Sequence, residues 1–217
     1  MCTTFIVGDK ATVDGSFLVA RSADSSALKA QLFIIHPACY YPEGAMYRTK
    51  DHNGATDFSY PQPVHAMRYT SVPNWQTKLH GAVGFNEAGL GVTGTESIFA
   101  RDDALAIDPY NKETGITEDD IIDIILPRCH TAAEGVELLG KIIETHAQAK
   151  VSALHLLTTT KSGIWKPEPV ISGWLREFRK TFTSVPAIRA VCVFTIRTLP
   201  SSKAARPDRL CHQTRLL

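Results

Sequence analysis

The sequence has no CxxC, no HExxH and no histidine pair spaced i,i+4. Cys129–His130 and Cys211–His212 are merely adjacent, without zinc-ligand spacing. The short signatures of a metal site are therefore missing. No apolar run is long enough to span a bilayer, and no basic segment leads into an apolar leader core. The five cysteines (Cys2, Cys39, Cys129, Cys192 and Cys211) are odd in number and scattered, which argues against a disulfide framework. A net charge of +1 removes any whole-chain bias toward nucleic acid or an anionic membrane. These absences predict a cytoplasmic protein that needs no metal or organic cofactor, binds neither nucleic acid nor membrane, and is compatible with a homo-oligomer.

What remains is ordinary in bulk and uneven in detail. With 217 residues, 44% hydrophobic and 21% charged, the chain can form one large globular domain or two small ones. Its charge is split, however. Residues 1–150 carry 12 basic and 19 acidic side chains, and residues 151–217 carry 11 and 3. Such a basic C-terminal segment reads either as an interaction tail or as sequence of a different origin.

Cys2 is the most informative residue. Methionine is normally removed when a small side chain follows, so loss of Met1 would leave Cys2 with a free α-amine. A thiol of pKa about 8.5 and an amine of about 8 would then share one residue. Such an amine can take the proton of its own thiol, directly or through a water. Without that terminal amine, Cys2 would read as one more small buried hydrophobe.

The pattern along the chain gives strands first and helices second. TTFIVG has strand character, Asp14-Gly15 is a turn pair, and Ser16–Arg21 reads as the returning strand. That hairpin would carry Arg21 and Asp24 back toward residue 2. Gln31–His36 and segments near 45–49 and 64–70 are further strand candidates. His80–Phe85 and Leu90–Thr95 form a second predicted hairpin, around Asn86-Glu87-Ala88-Gly89, with Gly89 supplying positive φ. Thr117 followed by three acids opens a helix that Pro127 stops. Thr131-Ala132-Ala133-Glu134 fits a capping box, and it opens a helix with Val136, Leu139, Ile142 and Ile143 along one stripe. This order predicts an α+β or layered sandwich rather than βαβ repeats.

The N-terminal string MCTTFIVGDKATVDGSFLVARSADSS resembles the opening of the C69 dipeptidases, which are N-terminal-nucleophile (Ntn) hydrolases. The shared elements are Cys2-Thr3-Thr4, Val7-Gly8, Ala11-Thr12, Asp14-Gly15-Ser16 and Ala20-Arg21 with Asp24. GAVGFNEAGLGVTGTES is similar to the family's Asn-Glu-x-Gly hairpin, and the segment ITEDDIIDIILPRCHTAAEGVELLGKIIETH is also family-like. The resemblance implies an αββα Ntn sandwich, of which residues 1–147 are the N-terminal half. It also implies hydrolysis of dipeptides by Cys2. Arg21 would sit beside the thiol and favour thiolate, while Asp24 would orient the amine. Glu96 lies where related amidases carry a polar residue near the tetrahedral intermediate, and its carboxylate could grip a substrate's α-amine. Asn86 could donate to an oxyanion or could serve as a turn-former, and the turn is the stronger reading. A penicillin- or bile-salt-acylase type of Ntn amidase is the alternative, and an inactive fragment with a basic interaction tail is a second.

Beyond residue 147 the local signals stop agreeing with one another. Pro167 and Pro169 flank Glu168. Codons read one base out of frame offer an explanation. The Trp165–Lys166 junction then encodes Glu, Trp174–Leu175 gives Val or Ala, and permissive codons yield a family-like Glu-Ile-Trp-Tyr-Leu-Glu strand and a Gly-Asn-Gln segment. Residues 148–217 are therefore expected to be a poorly ordered, frameshifted tail. Such a chain would lack the later asparagine that related enzymes use for the oxyanion. Loss of one such donor costs about a hundred- to a thousand-fold in rate.

Overall fold

The computed structural model describes residues 2–7, 11–14, 16, 18–23, 31–52, 54–73, 81–95, 100, 102–150, 153–157, 162–166 and 174–177. Within these, a two-stranded ribbon pairs β1 (Cys2–Val7) with β2 (Leu18–Ala23). Short strands β3 (Ile34–His36), β4 (Cys39–Tyr40), β5 (Met46–Arg48), β6 (Ser59–Pro61) and β7 (His65–Ala66) follow. Next come β8 (Tyr69–Pro73), β9 (Gly81–Asn86), β10 (Gly91–Thr95), and helices α1 (Asp102–Ile107), α2 (Glu118–Ile125) and α3 (Ala132–His146). The last strands are β11 (Ala153–Leu157), β12 (Ser162–Lys166) and β13 (Trp174–Glu177). Seven strands form one antiparallel sheet in the order β13-β12-β11-β10-β9-β8-β3. Helix α2 packs on β9 and β10 and helix α3 on β11 and β12, while β1 reaches β10.

The predicted strands and helices fall close to these spans. The 11–14 turn is tied by Thr12 Oγ1 donating to the Ser16 carbonyl at 2.8 Å and by Ser16 N–H donating to Asp14 Oδ1 at 3.1 Å. Gly89 takes φ 81°, as its turn position requires. Helix α3 begins at Thr131, whose hydroxyl accepts from Glu134 N–H, while the Glu134 carboxylate accepts from His130 N–H at 2.8 Å. Leu139 and Ile142 are fully buried, and Val136 and Ile143 pack beside them. Cys39 is buried and disulfide-bonded, which differs from the expectation drawn from the scattered, odd-numbered cysteines. Its partner is not among the residues whose side chains are described.

Sequence reading gave no strands after residue 147, yet β11 to β13 extend the sheet there. Leu156 is wholly buried in the core under α3, and Ala153–Leu157 is apolar enough to pair edge-on with β10. At the C-cap of α3, Ala147 holds φ 58° and ψ −176°. That backbone region favours glycine, because a Cβ crowds the neighbouring peptide. The next residue, Gln148, bridges to Ile116, so the chain is committed to this turn.

Helix α2 is almost entirely buried, including two of its carboxylates. Asp120 Oδ1 accepts from Tyr47 and Thr49 hydroxyls, each at 2.7 Å, and Oδ2 accepts from Thr117 N–H at 2.9 Å and from its hydroxyl at 2.5 Å. Asp123 Oδ1 accepts from Tyr69 OH at 2.9 Å. Burial raises the Asp123 pKa to about 7 against the opposing pull of the Tyr69 hydrogen bond, and the charges of Asp120 and Asp119 add to the rise. Arg128 lowers it slightly from the C-terminal side.

Asn86 closes the β9–β10 turn and fastens it to the end of α2. Its Oδ1 accepts from Ala88 N–H at 3.1 Å and from Leu90 N–H at 3.0 Å. Its amide donates to the carbonyls of Leu126 at 2.9 Å and Cys129 at 2.7 Å. Those carbonyls lie past the helix end, where intrahelical partners run out.

Three stability measurements test this account. Asp123 binds its proton more tightly folded than unfolded, so its contribution is full below pH about 4 and is lost as pH rises to about 7. In urea titrations Asp123→Asn should flatten that decline and be the more stable protein at pH 8. Asn86→Ala, which orphans buried backbone groups, should lose about 2–4 kcal/mol. Ala147→Gly should gain about 1 kcal/mol, opposite to the usual cost of glycine near a helix.

Candidate active site

The ladder of β1 and β2 sets the site. Cys2 pairs with Ala23 and Thr4 with Arg21. Arg21 therefore stands one step of the pleat's two-residue repeat from the partner of Cys2, close enough along the ribbon for a diagonal relation. The predicted hairpin thus brings these two residues to one end of one ribbon. The side chain of Cys2, and the whole of Asp24 and Glu96, lie outside the described residues. Asp24 directly follows the last residue of β2, and Glu96 directly follows the last residue of β10.

Arg21 does not point into open solvent. Its side chain is only 10% exposed, and Nη2 lies 3.7 Å from Oε1 of Glu118, itself 12% exposed. Glu118 is the first residue of α2, where the helix dipole also favours a carboxylate. Thr4 Oγ1 is buried and makes no hydrogen bond among the described residues. Sequence reading missed Glu118 as a partner. Three consecutive acids after Thr117 look alike as first-turn residues, and only the packing of α2 against the ribbon tells them apart.

Asn86 occupies a different place from that of a substrate donor. Both of its amide protons go to the carbonyls of Leu126 and Cys129, leaving none for an oxyanion. Its side-chain oxygen serves the turn, through Ala88 and Leu90, and its amide ties that turn to the end of α2. The Cys129 thiol is buried and free, and burial pushes its pKa up to about 11, with Glu134 adding to the rise. It is a poor nucleophile near neutral pH. No group of three or more His, Cys, Asp or Glu side chains arranged to hold a metal occurs among the described residues. No helix among them is long and apolar enough to cross a membrane.

Comparison with solved structures finds the same fold at low sequence identity. A mutant conjugated bile acid hydrolase from Clostridium perfringens aligns with TM-score 0.50 and 16% identity, covering 82% of this chain and 51% of that one. Penicillin V acylase from Agrobacterium tumefaciens aligns with TM-score 0.50 and 16% identity, covering 82% and 49%. These are Ntn hydrolases, so the chain carries part of that fold, in keeping with the expected incomplete α+β sandwich. Sequence relatives are nearer. A probable dipeptidase of Salmonella dublin is 46% identical over 145 residues, which is 66% of this chain and 32% of the relative. A probable dipeptidase B of Streptococcus pyogenes is 36% identical over 174 residues, which is 79% and 33%. The chain thus spans about a third of the length of these curated relatives. The description "Peptidase family C69" matches residues 1–174, running past Ala147 into the first residue of β13. With a match that starts at the ribbon bearing Cys2 and Arg21 and takes in most of the seven-stranded sheet, the chain belongs to peptidase family C69.

Proposed function

We propose that this chain derives from a dipeptidase whose nucleophile is Cys2, exposed as the N-terminal residue once Met1 is removed. The observation that carries the reading is the β1–β2 register, which sets Arg21 beside the partner of Cys2 in a chain of this family. The relatives' description as probable dipeptidases supports short peptides as the substrate class.

The reaction follows from the groups at that end of the ribbon. The Cys2 α-amine takes the thiol proton, and the sulfur attacks the scissile carbonyl carbon to form a tetrahedral oxyanion. The resulting ammonium gives its proton to the leaving amino group as the C–N bond breaks. Water, deprotonated by the same amine, then hydrolyses the thioester and restores the thiol. Arg21 favours the thiolate by its positive charge. Asp24 orients the amine from the end of β2, and Glu96 receives the free α-amine of the substrate from the end of β10. The chemistry runs on protein groups and water.

We also propose that a shift of reading frame, expected from the sequence at residue 148, separates the C-terminal part of the chain from the parent enzyme and leaves it poorly active; the family match itself runs on to residue 174. The change from acidic to basic composition near residue 150 supports this, as does Ala147 in a glycine-favouring backbone conformation. Resequencing the locus should find a base gained or lost near the codon for Ala147.

Activity measurements separate the parts of this reading. Intact mass should show loss of Met1, and a thiol-reactive dipeptide-like probe should label Cys2 and fail on Cys2→Ser. A frame-restored chain should hydrolyse dipeptides in preference to N-acyl amides, with this chain about a hundred- to a thousand-fold slower. Full activity after Cys2→Ser in the restored enzyme would remove the nucleophile assignment. Ordinary dipeptide turnover by this chain would remove the claim of impairment.

A further inference from the structure

Arg21 is held from outside its own ribbon. Its guanidinium and the Glu118 carboxylate are both nearly buried, 3.7 Å apart. A buried guanidinium needs such a partner, because desolvation of a lone charge costs several kcal/mol. Glu118 reaches it from the first turn of α2, which lies over β9 and β10. Its path crosses residue 94 of β10, which is glycine. A Cβ built there would stand 2.9 Å from Glu118 Oε1, 3.0 Å from Cγ and 3.3 Å from Cδ. Any larger residue at this position would push the carboxylate aside.

Asp120 and Asp123 of the same helix do other work. Asp120 is saturated by Tyr47, Thr49 and Thr117. Asp123, three residues after Asp120, receives Tyr69. Among the described residues, the ion pair with Arg21 is specific to Glu118.

We propose that Glu118 is a positioning residue for the nucleophile: it fixes Arg21 at the Cys2 end of the ribbon, and Gly94 leaves the gap that lets it do so. The proposal rests on the reading of Cys2 and Arg21 given above. It makes the first turn of α2 part of the site's support. It also gives a reason for glycine in a strand interior, where glycine otherwise weakens pairing.

The test reads the thiol, not turnover, so it can be made on this chain as it is. After reduction, the rate of iodoacetamide alkylation at Cys2 is followed by peptide mass mapping from pH 5 to 10. Cys129, with its pKa pushed up to about 11, serves as the slow internal reference. Glu118→Ala should move the Cys2 midpoint upward by about one pH unit and slow labelling at pH 6.5 about tenfold. Glu118→Gln, which keeps an acceptor for the guanidinium, should leave the midpoint no higher than in the parent. Gly94→Ala should move it upward with Glu118 intact, and it decides the matter if Glu118→Ala fails to fold. In an Arg21→Ala background, Glu118→Ala should add nothing. An unchanged midpoint in both Glu118→Ala and Gly94→Ala, or a further shift without Arg21, overturns the positioning role while leaving Cys2 as nucleophile. A parent Cys2 that titrates as an ordinary thiol removes the nucleophile reading and this inference with it.

Discussion

Burying helix α2 on the sheet is the constraint around which the rest is arranged. Ile121, Ile122, Ile124 and Ile125 are each at most 3% exposed, so the helix is covered on more than one side. A helix buried that way cannot leave its acids in water. Its buried or nearly buried carboxylates meet donors from other parts of the chain. Asp120 meets Tyr47 of β5 and Thr49 just beyond it, Asp123 meets Tyr69 of β8, and Glu118 meets Arg21 of β2. The carboxylates of one short helix thereby bind the loop region, the sheet and the ribbon into one arrangement.

The far end of the helix obeys the same rule with opposite polarity. Its last carbonyls have no intrahelical donor. Arg128 Nη1 donates to the carbonyls of Asp123 at 3.2 Å and Ile124 at 2.7 Å, while Nη2 donates to Pro61 at 2.7 Å. Burial lowers the Arg128 pKa, the expected response of a cation drawn from water, and the neighbouring Tyr60, Tyr41 and Tyr69 oppose that shift. Asn86 supplies the remaining donors from the β9–β10 turn. Buried polar groups satisfied in this way specify one packing, because each alternative leaves a group without a partner.

Function, in this view, sits at the margin of that packed unit. The ribbon carrying Cys2 touches the sheet at β10 and is joined to α2 through Arg21. The proposed site would stand on two strands and one helix terminus, elements that hold side chains more firmly than loops do.

Much of this was legible beforehand. The two hairpins, the two capped helices and the return of Arg21 toward the Cys2 end of the ribbon all follow from local chemistry: turn residues, caps and periodicity. The strands after residue 147 were not, because β11 joins the sheet through a long-range pairing with β10 that carries no turn signal of its own. Nor could the sequence separate Glu118 from Asp119 and Asp120, or assign Asn86 to Leu126 and Cys129, forty or more residues away. The chain by itself determined which residue types stand at which step of each element. Tertiary structure alone decided which acid faces Arg21, because that depends on where α2 crosses β10 and on the absence of a Cβ at Gly94.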